Sequence, residues 1–384
     1  MLKRFSIFCI MFIVLLTTYC GSAGFVASAQ SEVELTSKSA CLVDYASGEL
    51  LFEKDAKKHL PIASMVKLMT ILLTLEEMEA GRLKETDLIT TTENASSMGG
   101  SQVFIDPYVE YTASDLLKSV IMASANDASV ALAEHISGSE KAFVAKMNIR
   151  ARELCMNDTI YANCTGLPAP EQYSCAYDSA IVLKQVSKHD IYHKYSTIWM
   201  DELTHPSGRK TELVNTNRLV RYYEGCDGGK TGSTNEAGCC LSASAKRNNM
   251  RLISVIIGAE NSKTRFNECS KLFNYGFANF ESREILGMTS PLFNLPVSKG
   301  KIDNAEVYAK ECFSVVMKKG ENSKFDVTYE KPDKINAPTI AGDKVGRAII
   351  TQEGNIIKEV DLIVKTNIDK VSLKDCFDNI ITAW

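Results

Sequence analysis

The sequence predicts an α+β protein in two parts, an antiparallel sheet with an inserted helical lobe and then a small all-β domain. Three observations predict it. Strand-like runs at 40–43 and 50–52 return at 238–245 and 250–259, and the stretch between them has helical periodicity. That order suits a sheet whose first and last strands meet. After it, 287–304 carries Pro291, Pro296 and Gly300, and short apolar strands alternate with polar turns beyond that break.

The N-terminus begins with a positive patch, Lys3 and Arg4, and an apolar run over 5–16. Small residues then lead to Ala27-Ser28-Ala29, an A-x-A cleavage pattern that makes Gln30 the expected mature start. The run is shorter than the ~20 residues a spanning helix needs. Cys20 follows the bulky Tyr19, where a lipidation signal has a small residue. Residues 1–29 are therefore expected to be a signal peptide and the protein to be exported.

Within 30–286, Ser47-Gly48 makes a hairpin of the first two strands, and Pro61 opens a helical stretch rich in Leu, Met and Ile. Thr112 or Ser114 is placed to cap a helix carrying Leu116, Leu117, Val120 and Ile121. Another helix is expected over 128–136 and an ordered loop over 154–174. Asn248-Asn249 turns the last two strands into a second hairpin. Residues 287–304 read as a linker. In 305–384, strands are expected at 307–317, 325–329, 348–352 and 356–364. Leu373, Phe377, Ile380 and Trp384 then form one apolar helical stripe, a candidate for peripheral membrane contact.

Composition excludes several classes. The formal net charge of −4 speaks against a nucleic-acid binder. Five histidines without H-E-x-x-H, and cysteines without C-x-x-C, leave no metal signature and no cofactor is expected. Of 12 cysteines, 10 lie beyond the signal stretch, without compact spacing. They are expected mostly as buried free thiols with at most one or two bridges.

Three short motifs carry the chemistry. Ser64-Met65-Val66-Lys67 puts a hydroxyl and an amine on one helical face, and a serine is a weak nucleophile until a base takes its proton. A lysine is that base only when burial or a nearby cation lowers its pKa. Ser124-Ala125-Asn126 lies between two helical segments, where a serine can relay a proton and an amide can orient the lysine. Lys230-Thr231-Gly232 offers a cation for a carboxylate and a glycine that lets substrate approach the strand. Each has a bland alternative: a helix cap, a turn, a loop lysine. A phosphate loop ending in Gly229-Lys230-Thr231 is excluded, because Glu224 stands where its first glycine belongs and strands follow.

The set is more specific than its members, since S-x-x-K, S-D-N and K-T-G together mark serine β-lactamases and penicillin-binding proteins. Here they run in that order, at 64, 124 and 230. The stretch Pro61-Ile62-Ala63-Ser64-Met65-Val66-Lys67-Leu68-Met69-Thr70 resembles the active-site helix of low-molecular-mass penicillin-binding proteins, the serine D-alanyl-D-alanine carboxypeptidases. Asp227-Gly228-Gly229-Lys230-Thr231-Gly232 with Glu236-Ala237-Gly238 resembles their third motif. Ala337-Pro338-Thr339, Gly342 and Val345-Gly346 resemble their small β domain. Ala125 replaces a frequent glycine, and Ser233 replaces a frequently larger residue.

The resemblance implies a β-lactamase/DD-peptidase-like fold and removal of the terminal D-Ala from peptidoglycan stem pentapeptides, with penicillin acylating the same serine. It assigns Ser64 as nucleophile, Lys67 as base, Ser124 as proton relay and Asn126 as orienting group. Lys230, Thr231 and Gly232 bind substrate, and the backbone N–H groups of Ser64 and Ser233 form the oxyanion hole. The implied partners are stem peptides and β-lactam inhibitors at the outer face of the cytoplasmic membrane. Three alternatives remain: an endopeptidase on cross-linked stems, a catalytically silent scaffold and a class A β-lactamase. The last needs a glutamate in an E-x-x-L-N setting, and only Glu153-Leu154-Cys155-Met156-Asn157 or Glu171 approaches it.

Overall fold

The computed structural model describes residues 33–372 and Asp375. The expected signal peptide and the terminal apolar stripe lie outside the described residues.

β1 (Ser39–Asp44) and β2 (Leu50–Lys54) form the first hairpin, whose turn is closed by the Asp44 carboxylate accepting Ser47 N–H and Oγ–H at 2.8 Å. A 3₁₀ turn, Ala63–Val66, leads into α1 (Lys67–Glu79). The lobe follows as β3 (Leu88–Thr90), α2 (Glu93–Ser96), β4 (Glu110–Thr112), α3 (Ala113–Ala123), α4 (Asn126–Ser137) and α5 (Glu140–Glu153). Thr112 caps α3, accepting Asp115 N–H at 3.1 Å, as one of the two expected caps. After the irregular 154–175 come α6 (Ala176–Val186), α7 (Asp190–Ser196), the hairpin β5 (Met200–Thr204) with β6 (Lys210–Val214), and α8 (Leu219–Tyr222). β7 (Cys226–Thr234), β8 (Gly238–Arg247), β9 (Met250–Ala259) and α9 (Ser262–Asn279) complete this part.

The sheet order is β2-β1-β9-β8-β7, antiparallel throughout, so the first and last hairpins do meet. Cys41 lies opposite Val255 and Leu42 opposite Ser254. α9 and α6 pack on β9, which is why Leu252, Ile253, Val255, Ile256 and Ile257 form one fully buried run instead of alternating. Each such side chain contributes about 1.5–3 kcal/mol by leaving water. The third motif, expected just before a terminal hairpin, is itself the strand β7; its three glycines had masked any strand pattern.

The remainder is all β: β10 (Phe280–Leu286), β11 (Phe293–Ser298), β12 (Asn304–Ala309), β13 (Phe313–Lys318), β14 (Phe325–Glu330), β15 (Ile335–Asn336), β16 (Lys344–Gln352) and β17 (Asn355–Val364). Six of these pair in the order β14-β16-β17-β12-β11-β15, and β10 pairs with β13. Leu295, Val307, Ile350, Val360 and Leu362 centre a second apolar core.

Two expectations are corrected here. Residues 287–304 are no free linker, because β11 falls inside them and its Leu295 is buried in the second core. Pro296 is tolerated in this short strand, one from the end of its sheet. The strand expected over 307–317 is two strands, broken at the exposed Lys310 and Glu311, where Lys310 N–H donates to Asp361 O. Their partners differ, β17 for β12 and β10 for β13. Nine described cysteines are free, and five of them are buried. No helix among the described residues is long and apolar enough to cross a membrane.

Candidate active site

Ser64 sits in the 3₁₀ turn and Lys67 opens α1, so the two share a face across the junction. Ala63 before them has φ +48°, and the 154–175 segment closes directly over this strained turn. A Cβ on Gly166 would fall 2.1 Å from Ala63 O and 2.8 Å from Ser64 N, so only glycine permits that approach.

Lys67 is fully buried. Its Nζ lies 3.1 Å from Ser64 Oγ, 2.5 Å from Asn126 Oδ1 and 2.5 Å from Thr165 O. Burial holds its pKa down to about 7, against the weaker upward pull of Cys164 and Asp127. Two of the three neighbours are carbonyl oxygens, which only accept. A neutral amine has two N–H bonds and one lone pair, so both N–H bonds go to Asn126 and Thr165. The lone pair is left for the one neighbour with a proton to give, Ser64.

The second motif occupies the break between α3 and α4. Ser124 ends α3 in the left-handed region, φ +63° and ψ +31°, a conformation costing of order 1–3 kcal/mol for a residue with a Cβ. It turns the chain so that Asn126 starts the next helix facing Lys67. Asn126 Nδ2 donates to Gly99 O at 2.6 Å, and its backbone N–H donates to Ser101 O at 2.7 Å. The buried Asp127 carboxylate accepts N–H groups from Val103 and Ile105 at 3.1 and 3.2 Å. The 99–105 segment is thereby sewn to the start of α4.

β7 brings in the third motif as the outermost strand, pairing Gly232 with Cys240. A Cβ on Gly232 would meet Ile62 O at 2.5 Å and Ser64 N at 3.0 Å, so the backbones of the first and third motifs touch. Lys230 is fully buried; its Nζ donates to Ser124 Oγ at 2.7 Å and Thr231 O at 3.1 Å, which ties the third motif to the second. Burial, then Lys67 and Arg265, push its pKa well below the usual lysine value.

These residues border a cleft of about 660 Å³ lined by Ser64, Ser124, Thr231, Gly232 and Ser233. The cations that do line it are Arg218 and Arg265, which the sequence reading missed. Arg265 reaches in from α9, with Nη1 donating to Gly232 O at 3.1 Å and Ser233 Oγ at 3.0 Å. No local motif marks it, because α9 packs on β9 and β8 and only the long Arg265 side chain reaches across to β7. Thr165 and Ser101 were missed for the same reason, since one acts through a carbonyl and the other through a loop path. No carboxylate among the described residues lines the cleft. Glu153 is at the end of α5, paired with Arg150 at 2.9 Å, and Glu171 is exposed on its loop.

Residues 26–261 match the family model described as D-alanyl-D-alanine carboxypeptidase, and residues 280–370 match the penicillin-binding protein 5 C-terminal domain. The chain is 39% identical over 356 residues to D-alanyl-D-alanine carboxypeptidase DacF of Bacillus subtilis, covering 92% of this chain and 91% of that protein. DacC of Escherichia coli, another D-alanyl-D-alanine carboxypeptidase, is 35% identical, with 89% and 88% covered. Among solved structures, penicillin binding protein 5 from Haemophilus influenzae superposes with a TM-score of 0.69 at 31% identity, covering 88% of this chain and 98% of that one.

Proposed function

From the premise that this chain belongs to the D-alanyl-D-alanine carboxypeptidase family, with its penicillin-binding-protein-5 type C-terminal domain, we propose which groups perform the reaction and in what order. The protein is a serine-type carboxypeptidase that removes the terminal D-Ala from peptidoglycan stem peptides. The observation that carries the assignment is the trio of neighbours around Lys67 Nζ, which leaves its lone pair to Ser64 Oγ.

Ser64 attacks the carbonyl between the two D-alanines as Lys67 takes its proton. The oxyanion rests on the backbone N–H groups of Ser64 and Ser233, and one such donor contributes about 3–4 kcal/mol to the transition state. Ser124, hydrogen-bonded by Lys230 Nζ, relays the proton taken up by Lys67 to the departing amine. Asn126 fixes Lys67. Thr231 binds the leaving carboxylate, and Gly232 gives the substrate backbone room. Lys230 stands behind Thr231 through its bond to Thr231 O, and Arg265 adds positive charge to the cleft lining. Water then releases the acyl group by the same base. Penicillin places its own carbonyl at Ser64 and stops there.

Intact mass after benzylpenicillin tests the nucleophile. A single stable adduct is expected in the wild type and none in Ser64→Ala; an adduct that survives the substitution overturns the assignment.

Export and peripheral membrane contact extend this reading. The basic-apolar-small order of residues 1–29 supports export, and the stripe Leu373, Phe377, Ile380 and Trp384 supports contact with the lipid surface. Full-length protein is expected to float with lipid vesicles and a form ending before Lys370 to stay behind. Equal behaviour of the two ends the membrane claim.

A further inference from the structure

One buried histidine takes no part in the reaction above. His205 is 1% exposed and stands where β5 turns toward β6. Its Nε2 lies 2.8 Å from Thr211 Oγ1, and its Nδ1 lies 2.9 Å from Tyr111 Oη and 3.1 Å from Arg209 Nη2. Thr211 Oγ1 donates its proton to Val103 O at 3.3 Å, so it accepts from Nε2–H. Nδ1 is then the bare nitrogen and accepts from Tyr111 and Arg209. Arg209 also donates to Phe104 O and sits 3.4 Å from the Asp106 carboxylate.

The hairpin and the loop pinned together here belong to different walls of the cleft. The hairpin continues into Trp199 and Val214, both lining it. The loop carries Ser101, which also lines it, and Gly99, whose carbonyl holds the Asn126 amide. The ring thus joins the two walls from outside the cleft lining.

We propose that neutral His205 is a positioning residue, a latch that fixes the β5–β6 hairpin to the 99–106 loop and so sets the cleft for substrate. Protonation removes the acceptor at Nδ1 and places a second cation against Arg209. The groups facing the ring are Tyr111 from β4, Asp106 from the loop, Arg209 from its own hairpin and Asp127 from α4. Burial, then Arg209, hold the histidine below its ordinary pKa, more than Asp106 and Asp127 raise it. The latch is therefore closed at neutral pH and opens as pH falls.

The inference rests on the roles proposed for Asn126 and the cleft walls, and it fails separately from them. Steady-state hydrolysis of diacetyl-L-lysyl-D-alanyl-D-alanine is compared for wild type, His205→Phe and His205→Gln between pH 5 and 8. His205→Phe keeps the ring volume and loses the bonds. Its KM is expected to rise roughly three- to ten-fold at pH 7.5, the factor one or two net hydrogen bonds are worth, with kcat within about twofold. His205→Gln, with one donor and one acceptor, is expected to recover most of that loss. Wild-type KM should climb toward pH 5, while KM of the phenylalanine variant should stay level. Should that variant melt too low to assay, Thr211→Val removes the Nε2 partner and is expected to raise KM in the same direction. An unchanged KM in folded protein, or an acid rise in KM that persists without the histidine, overturns the latch. Loss of the penicillin adduct in His205→Phe also overturns it, since Ser64 and Lys67 are untouched; the nucleophile assignment stands or falls on Ser64→Ala alone.

Discussion

Residues 39–279 and residues 280–372 handle polarity in opposite ways. The first region buries Lys67, Asp127, Asp178, Lys230, Arg265 and Glu268, whereas no polar or charged residue after Glu268 is buried among the described residues. The second region keeps its ion pairs in water, such as Arg347 with Glu330 and Glu359 and Lys344 with Asp361. Taking a charge out of water is costly, and a protein retains such groups where their altered proton affinity is used. The contrast teaches where the chemistry is. One region accepts electrostatic stress around a nucleophile, and the other is an ordinary sheet whose strands obey alternation.

The largest test of that difference removes the stressed group itself. Lys67→Arg keeps a cation but cannot deprotonate, and acylation by benzylpenicillin is expected to fall by roughly a thousandfold or more. Acylation within tenfold of wild type would mean that the base lies elsewhere. A smaller effect is read from pH. With Lys67 titrating at about 7, acylation is expected to drop about tenfold per unit below that value and to level off above it. A profile flat from pH 5 to 9 breaks the link between burial and catalysis. In the second region the same kinetics should not notice a change. Ile350→Ala is expected to cost about 2–4 kcal/mol of that region's stability in denaturant unfolding, with kcat/KM for the tripeptide unchanged. Arg347→Ala, at an exposed pair, should barely move the melting temperature. A fall in kcat/KM from either would join two regions that the burial pattern separates.

How much of this was legible follows the same division. Ser64, Lys67, Ser124, Asn126 and the third motif were visible because each motif is local, and its spacing survives folding. The hairpins at both ends of the first sheet were visible because Ser47-Gly48 and Asn248-Asn249 mark turns. Arg265 was not, since it joins the cleft only by the packing of α9 on β8 and β9. The burial of Lys230 was hidden too: a lysine among glycines reads as a loop, and its depth depends on the lobe folding over it. Thr165 and Gly99 serve through carbonyl oxygens, which any residue type supplies. In the second region, Pro291, Pro296 and Gly300 read as a linker although 293–298 is a strand. The Lys310-Glu311 step that ends β12 was a readable charge signal, masked by the apolar residues on either side.

β7 pairs with β8 on one side only, because it ends the sheet. An open strand is ordinarily a liability, a template on which another chain can polymerise into cross-β aggregate. Here the residues along it, Gly228 to Gly232, are buried beside the 3₁₀ turn, α7 and α8, and only Ser233 is well exposed. Side chains already hold backbone groups of this strand, Asn217 at Gly228 O and Tyr192 Oη at Gly229 N–H, so a folded neighbour's sheet cannot pair along it, while the cleft beside Thr231, Gly232 and Ser233 is open to a thin, extended peptide tip. Enzymatic selectivity and protection against self-assembly thus come from one overhang. Mutations that loosen α7 or α8 from β7 should cost solubility as well as turnover.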